Sequence, residues 1–191
     1  ELPELISMAR TFYPDSLIIL FTNGQEDLDP ALLESGPDVV NVAIDGTDQE
    51  SYVQYRLGGS FQRAYGFLAD LAEAEMSIRP KVVWRYVLFS HNDEPERLAS
   101  AWRMAKEAEA DEIVFIFTSI GEWSRKVKNA RQLESLLKTE GVPEVNLRLT
   151  TQEKLRRRRA WGELLRRFPR IHHIGRLLWR TARPGLAGES H

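Results

Sequence analysis

Four short, near-continuous apolar runs, Leu17 to Phe21, Val39 to Ile44, Val82 to Phe89 and Ile113 to Phe117, constrain this chain more than any other feature. Each is rich in Val, Ile and Phe and suits a parallel strand covered on both faces. Between them lie segments with helical period, Pro30 to Ser35, Gln49 to Tyr55, Phe61 to Glu75 and Pro95 to Ala108. Strand and helix alternate, which predicts an α/β fold of parallel βα units. In such folds the loops beyond the carboxyl ends of the strands form the ligand site, so chemistry is expected near Asn23, Asp45, Ser90 to Asn92 and Thr118 to Glu122.

Local signals support the same elements. Thr47 and Glu50 have capping-box spacing, Ser60 precedes the apolar face Phe61, Ala64, Tyr65, Leu68 and Leu71, and Asp93 stands just before Pro95 at a helix start. After Gly121 the alternation weakens into a helix over 130–138, a short strand over 145–149, a helix over 150–167 that opens with a second capping-box spacing, and, beyond Pro169, a helix over 171–181. The domains expected are a barrel portion over 1–120, an α-rich extension over 121–183 and a disordered tail over 184–191.

The chain of 191 residues has no cysteine, so it can form no disulfide, thiolate nucleophile or cysteine-ligated metal site of its own. No apolar run approaches the ~20 residues of a membrane span and no basic-then-apolar leader opens the chain, so a soluble, cytoplasmic protein is expected. An amphipathic pattern of Leu2, Leu5, Ile6 and Ala9 starts at once after Glu1, as in a chain cut from something longer. Charge is divided: residues 1–153 hold 15 Lys and Arg against 26 Asp and Glu, whereas residues 154–191 hold 11 against 2.

Asp45, at the end of the second run, can accept hydrogen bonds from ribose hydroxyls or an amino group, or simply cap its turn. Asn23-Gly24 suits a tight turn. Arg56, before Gly58-Gly59, can hold a carboxylate in bidentate fashion or neutralise a helix C-terminus. His91, His172, His173 and His191 have no metal-ligand spacing, and no metal ligand is assigned.

Taken in order, Thr22-Asn23-Gly24 after a strand, Ala43-Ile44-Asp45-Gly46 after the next, and then Glu50 to Tyr55 followed by Arg56-Leu57-Gly58-Gly59-Ser60-Phe61 resemble the middle of radical SAM proteins, especially SPASM-type members. Val82 to Phe89, His91-Asn92 and Asp111 to Phe115 continue the resemblance, which covers about residues 1–120. It implies a partial (β/α)6 TIM-like barrel, of which this chain supplies roughly the third to sixth strands. It also places Ala43 and Asp45 beside the ribose and methionine of S-adenosylmethionine, Arg56 against the methionine carboxylate, Asn23 at the same edge, and Phe117, Thr118 and Ser119 along the adenine. The family often has serine where Ala43 stands. Its cluster-binding C-x-x-x-C-x-x-C loop and Gly-Gly-Glu-Pro-like motif belong before the part matched here.

The resemblance implies a radical SAM enzyme in the complete protein. A four-iron four-sulfur cluster, with ligands outside this chain, would reductively cleave S-adenosylmethionine to a 5′-deoxyadenosyl radical. The complete enzyme would need an electron donor and act on a peptide, small molecule or nucleic acid, and this chain alone would be inactive. An alternative is a cluster-less, barrel-derived module that binds a peptide or protein partner. The basic tail, where Leu155, Trp161, Leu164, Phe168, Ile171 and Trp179 alternate with arginines, suits an anionic membrane surface or RNA, or packing against the acidic body.

Overall fold

The computed structural model describes residues 1–118 and 123–142. In chain order the elements are α1 (Leu2–Phe12), β1 (Ile19–Thr22), α2 (Pro30–Glu34), β2 (Val39–Ala43), α3 (Gln49–Val53), α4 (Phe61–Glu73), β3 (Lys81–Leu88), α5 (Pro95–Glu107), β4 (Glu112–Phe117) and α6 (Ala130–Thr139). The strands form one sheet in the order β1-β2-β3-β4. All three pairings are parallel, with Val42 beside Thr22 and Trp84, and Trp84 beside Ile113. The α/β class and each expected strand and helix in this region are therefore present. The sheet is open, as a partial barrel requires. Among the described residues no helix is long and apolar enough to cross a membrane. The strand and helices expected over 145–181, and the tail, lie outside the described residues.

α4 and α5 pack on one face of the sheet. Alternate residues Val40, Val42 and Ile44, then Val82, Trp84, Tyr86 and Leu88, are buried there with Ile113 and Phe115. α4 meets them with Ala64, Phe67, Leu68, Leu71 and Ala72, a stripe at i, i+3, i+4, i+7 and i+8. Full burial of Leu68 and Leu71 contributes about 1.5–3 kcal/mol each. α5 offers Leu98 and the small Ala99, Ala101 and Ala105, which let α6 approach with Leu133 and Leu137. Trp84 is wholly buried, and its indole N–H donates to the Ile44 carbonyl at 2.7 Å, which removes the cost of an unpaired donor.

The alternate face is more open. Ile19 and Phe21 of β1 are exposed, while Asn41, Ala43, Arg85, Val87, Val114 and Ile116 are only partly covered. This is the face that lines the interior of a closed barrel.

Two helix starts differ from the sequence expectation. Asp48 caps α3 by accepting from Ser51 N–H at 2.7 Å, so the Thr47 and Glu50 spacing is not used. Glu94 stands at the start of α5 without a side-chain cap, and Asp93 instead accepts from Ser124 Oγ at 2.7 Å. Ser60 does cap α4, accepting from Arg63 N–H at 3.3 Å.

Gly46 marks where the chain turns from β2 under α3. A Cβ there would lie 2.6 Å from the Tyr52 nitrogen and 2.9 Å from its Cα, contacts that backbone cannot relieve by a rotamer change. Gly66, inside α4, has open space around the corresponding position. Gly46→Ala is expected to destabilise the chain by about 1–3 kcal/mol. Gly66→Ala should stabilise it by about 0.5–1 kcal/mol through helix propensity. Urea denaturation of both variants, followed by circular dichroism, checks this opposition of sign.

Candidate functional site

The carboxyl ends of β2 and β3 are joined through one carboxylate. Asp45 follows β2 and is wholly buried. Its Oδ2 accepts from Arg56 Nε at 2.8 Å and Nη2 at 2.7 Å, and its Oδ1 accepts from the Val87 N–H at 2.7 Å. Arg56 reaches it from the turn after α3, where the Arg56 N–H donates to the Tyr52 carbonyl and its own carbonyl accepts from Gly59 N–H. The side chain of Arg56 is 26% exposed, so one edge is held against Asp45 while the group still reaches the surface.

Asn92 completes the junction. Its amide Nδ2 donates to the Asp45 carbonyl at 3.0 Å and the Val87 carbonyl at 2.9 Å, and its Oδ1 accepts from Phe89 N–H at 2.8 Å. Tyr86 O–H donates to the Asn92 carbonyl at 3.0 Å. Above this network Tyr55 packs on Phe89 with ring centres 4.3 Å apart, and Phe89 stacks on His91 at 5.4 Å. The guanidinium of Arg56 stands 5.4 Å from the Tyr55 ring centre. Trp123, half exposed, runs back along Phe89.

Burial pushes the Asp45 carboxyl above its ordinary value, while the Arg56 charge and the Val87 N–H pull it back without cancelling the rise. Burial also draws the Arg85 guanidinium below its ordinary value, opposed by Asp45 and reinforced by Arg56. Two cations therefore face one carboxylate here.

Of the residues expected at the site, Asp45 and Arg56 are brought together and Ala43 lies beside them on the open face. Asn23 is not part of this junction. It is exposed in the turn after β1, where its Oδ1 accepts from Gln25 N–H at 3.4 Å. The side chain of Phe117 packs against the core, and Thr118 follows at the end of β4. Ser119 lies outside the described residues. No group of three or more His, Asp or Glu side chains suited to a metal ion occurs among the described residues. Sequence reading left Arg85 and the bridging role of Asn92 unassigned. A lone arginine inside the third apolar run was the available signal for the first. A cleft of about 530 Å³ between α4 and the loop after β1, bordered by Glu26, Asp27 and Asp70, is separate from this junction.

No family model and no curated protein matches the chain. Among solved structures, Streptococcus suis SuiB bound to S-adenosylmethionine superposes with a TM-score of 0.58 at 12% identity, covering 76% of this chain and 33% of SuiB. The chain shares its fold with part of SuiB. SuiB bound to its precursor peptide SuiA gives the same TM-score and identity, with 76% of this chain and 34% of SuiB covered. The chain thus spans about a third of the length of SuiB.

Removing either half of the Asp45–Arg56 pair has unequal consequences. Arg56→Met leaves a buried carboxylate without its counter-charge and should cost about 3–5 kcal/mol. Asp45→Asn leaves a partly exposed arginine that water can reach, with a cost of about 1–3 kcal/mol. Because the folded Asp45 carboxyl lies above its ordinary 3.8, the native state binds more protons between the two values. Stability from this group is present at low pH and lost as pH rises through that window. Loss of Arg56 raises the carboxyl further, so the Arg56→Met deficit should shrink from about pH 7 to about pH 5. Urea midpoints at the two pH values measure it.

Proposed function

We propose that this chain is the S-adenosylmethionine- and substrate-binding part of a radical SAM enzyme. The observation that carries the proposal is the Asp45–Arg56 junction at the carboxyl end of an open parallel sheet face. It lies in the fold that the chain shares with SuiB, which has been solved with S-adenosylmethionine. The SPASM-type assignment rests on the order of motifs from Thr22-Asn23-Gly24 to Phe61.

The residues present fit the cofactor in part. Asp45 is too enclosed to touch a ribose as it stands, so its role is to orient Arg56. The outer edge of Arg56 would then receive the methionine carboxylate, the small Ala43 would leave room for the ribose, and the backbone of Phe117 and Thr118, with Ser119 next in the chain, would border the adenine. Asn23 marks the neighbouring strand end. When bound beside a reduced four-iron four-sulfur cluster, S-adenosylmethionine supplies a 5′-deoxyadenosyl radical. The cluster does not fit this chain, which contains no cysteine, so its ligands and the contact with an electron donor belong to other residues of the complete protein. A peptide is the favoured substrate class, because SuiB has been solved with its precursor peptide. The lack of cysteine also favours a second reading, a cluster-less module that binds a peptide or protein partner on the same open face.

Titration of the isotope-labelled chain with S-adenosylmethionine, followed by amide NMR, separates the two readings. Weak binding is expected, with shifts confined to the region of Ala43, Asp45, Arg56, Phe117 and Thr118. Anaerobic incubation with iron, sulfide and dithionite should give no 5′-deoxyadenosine from this chain alone. Shifts clustered elsewhere, or none, would sink the cofactor reading and leave the binding module.

A further inference from the structure

Arg85 lies near the middle of β3, paired in register with Ala43 of β2 and Val114 of β4. Its side chain stands on the open sheet face and crosses β2 where Ala43 presents only a methyl group. The guanidinium comes to rest 4.8 Å from the centre of the exposed Phe21 ring on β1. The other cation of that face, Lys81, is paired with Glu112 at 2.8 Å. Asp45 is already taken by two nitrogens of Arg56. Among the described residues no carboxylate hydrogen-bonds to Arg85, and Asp45, which acts on it only through space, is shared with Arg56, which leaves one partly buried cation in excess on the open face. A guanidinium held over a ring face keeps the N–H groups at its rim free to bind two oxygens side by side.

We propose that Arg85 is an oxyanion-binding residue of the open face, receiving a carboxylate or phosphate group of the ligand that occupies it. Phe21 seats the guanidinium over its ring and Ala43, the neighbour in register on β2, presents only a methyl group beside it. Asp45 and Arg56 neutralise each other, so the excess charge attracts an anion to Arg85 itself. This deepens the reading of the open face as a ligand site. It does not require that the anion belong to S-adenosylmethionine, because the carboxylate of a second substrate has the same chemistry.

The test uses the whole 191-residue chain, isotope-labelled, with the Arg85 Nε–Hε resonance identified by its loss in Arg85→Gln. Inorganic phosphate and acetate, added separately, should move that resonance and the backbone amides of Phe21 and Ala43 in a saturable way, and in Arg85→Lys the affinity read from those amides should fall about tenfold through loss of the bidentate fork. A resonance unmoved by both anions overturns the proposal, and Arg85→Lys, which also lacks Nε–Hε, supplies the assignment if Arg85→Gln does not fold. S-adenosylmethionine and 5′-methylthioadenosine, which lacks the carboxylate, then assign the source. If only the former displaces phosphate, the anion is the cofactor's; if phosphate binds alongside it, the anion belongs to the second substrate. Failure of S-adenosylmethionine to bind while phosphate still moves Arg85 removes the cofactor reading and leaves the oxyanion site standing.

Discussion

A single buried carboxylate holds the carboxyl edge of this sheet together. Parallel pairing leaves the strand ends without a hairpin to join them, so neighbouring ends need another tie. Asp45 supplies it, spanning from the end of β2 to the Val87 N–H of β3 and drawing in the turn that carries Arg56. The opposite edge uses the same device twice. Asp38 accepts from the Ile18 N–H at 2.6 Å and Asp111 from the Val82 N–H at 2.7 Å, each also paired with an arginine. At Asp38 the Ile18 N–H and Arg10 hold the carboxyl below its ordinary value, whereas the deeper burial of Asp45 outweighs similar partners. The same chemistry at two depths gives shifts of opposite direction, and the deeper one lies where ligands of parallel folds bind.

The positions of the strands were legible because a strand buried in a parallel sheet must be apolar for its whole length, and that continuity survives in a single sequence. Which face the helices cover was not, since Val82 and Val83 look alike until α4 and α5 are placed. The misread start of α3 has a local cause. Thr47 has the right spacing to Glu50, but the Asp48 carboxylate one residue later meets the Ser51 N–H, and a chain can begin its helix at only one of them. Arg56 was readable as a carboxylate-binding group. Its intramolecular partner was not, because Asp45 comes within reach only when Gly46 lets the chain double back beneath Tyr52.

Arg85 shows how an apolar background carries information. Within a strand otherwise suited to complete burial, a guanidinium demands either a counter-ion or an opening toward water, and this sheet provides the opening. The aromatic group of Tyr55, Phe89 and His91 then walls one side of the junction, while β1 bounds the other.

Among the described residues the outer edge of β1 has no neighbouring strand, and its side chains there, Ile19 and Phe21, are 43% and 64% exposed. The next helix back, α1, buries Ile6 but exposes Leu2, Leu5, Met8 and Phe12. An uncovered row of backbone donors and acceptors flanked by apolar side chains is a template for adding another strand. No proline or inward-pointing charge blunts β1 itself, which reads Ile-Leu-Phe-Thr. Colloidal behaviour is thus written into the same geometry that opens the ligand face: left uncovered, this margin makes the polypeptide adhesive toward any extended segment it meets, copies of itself included.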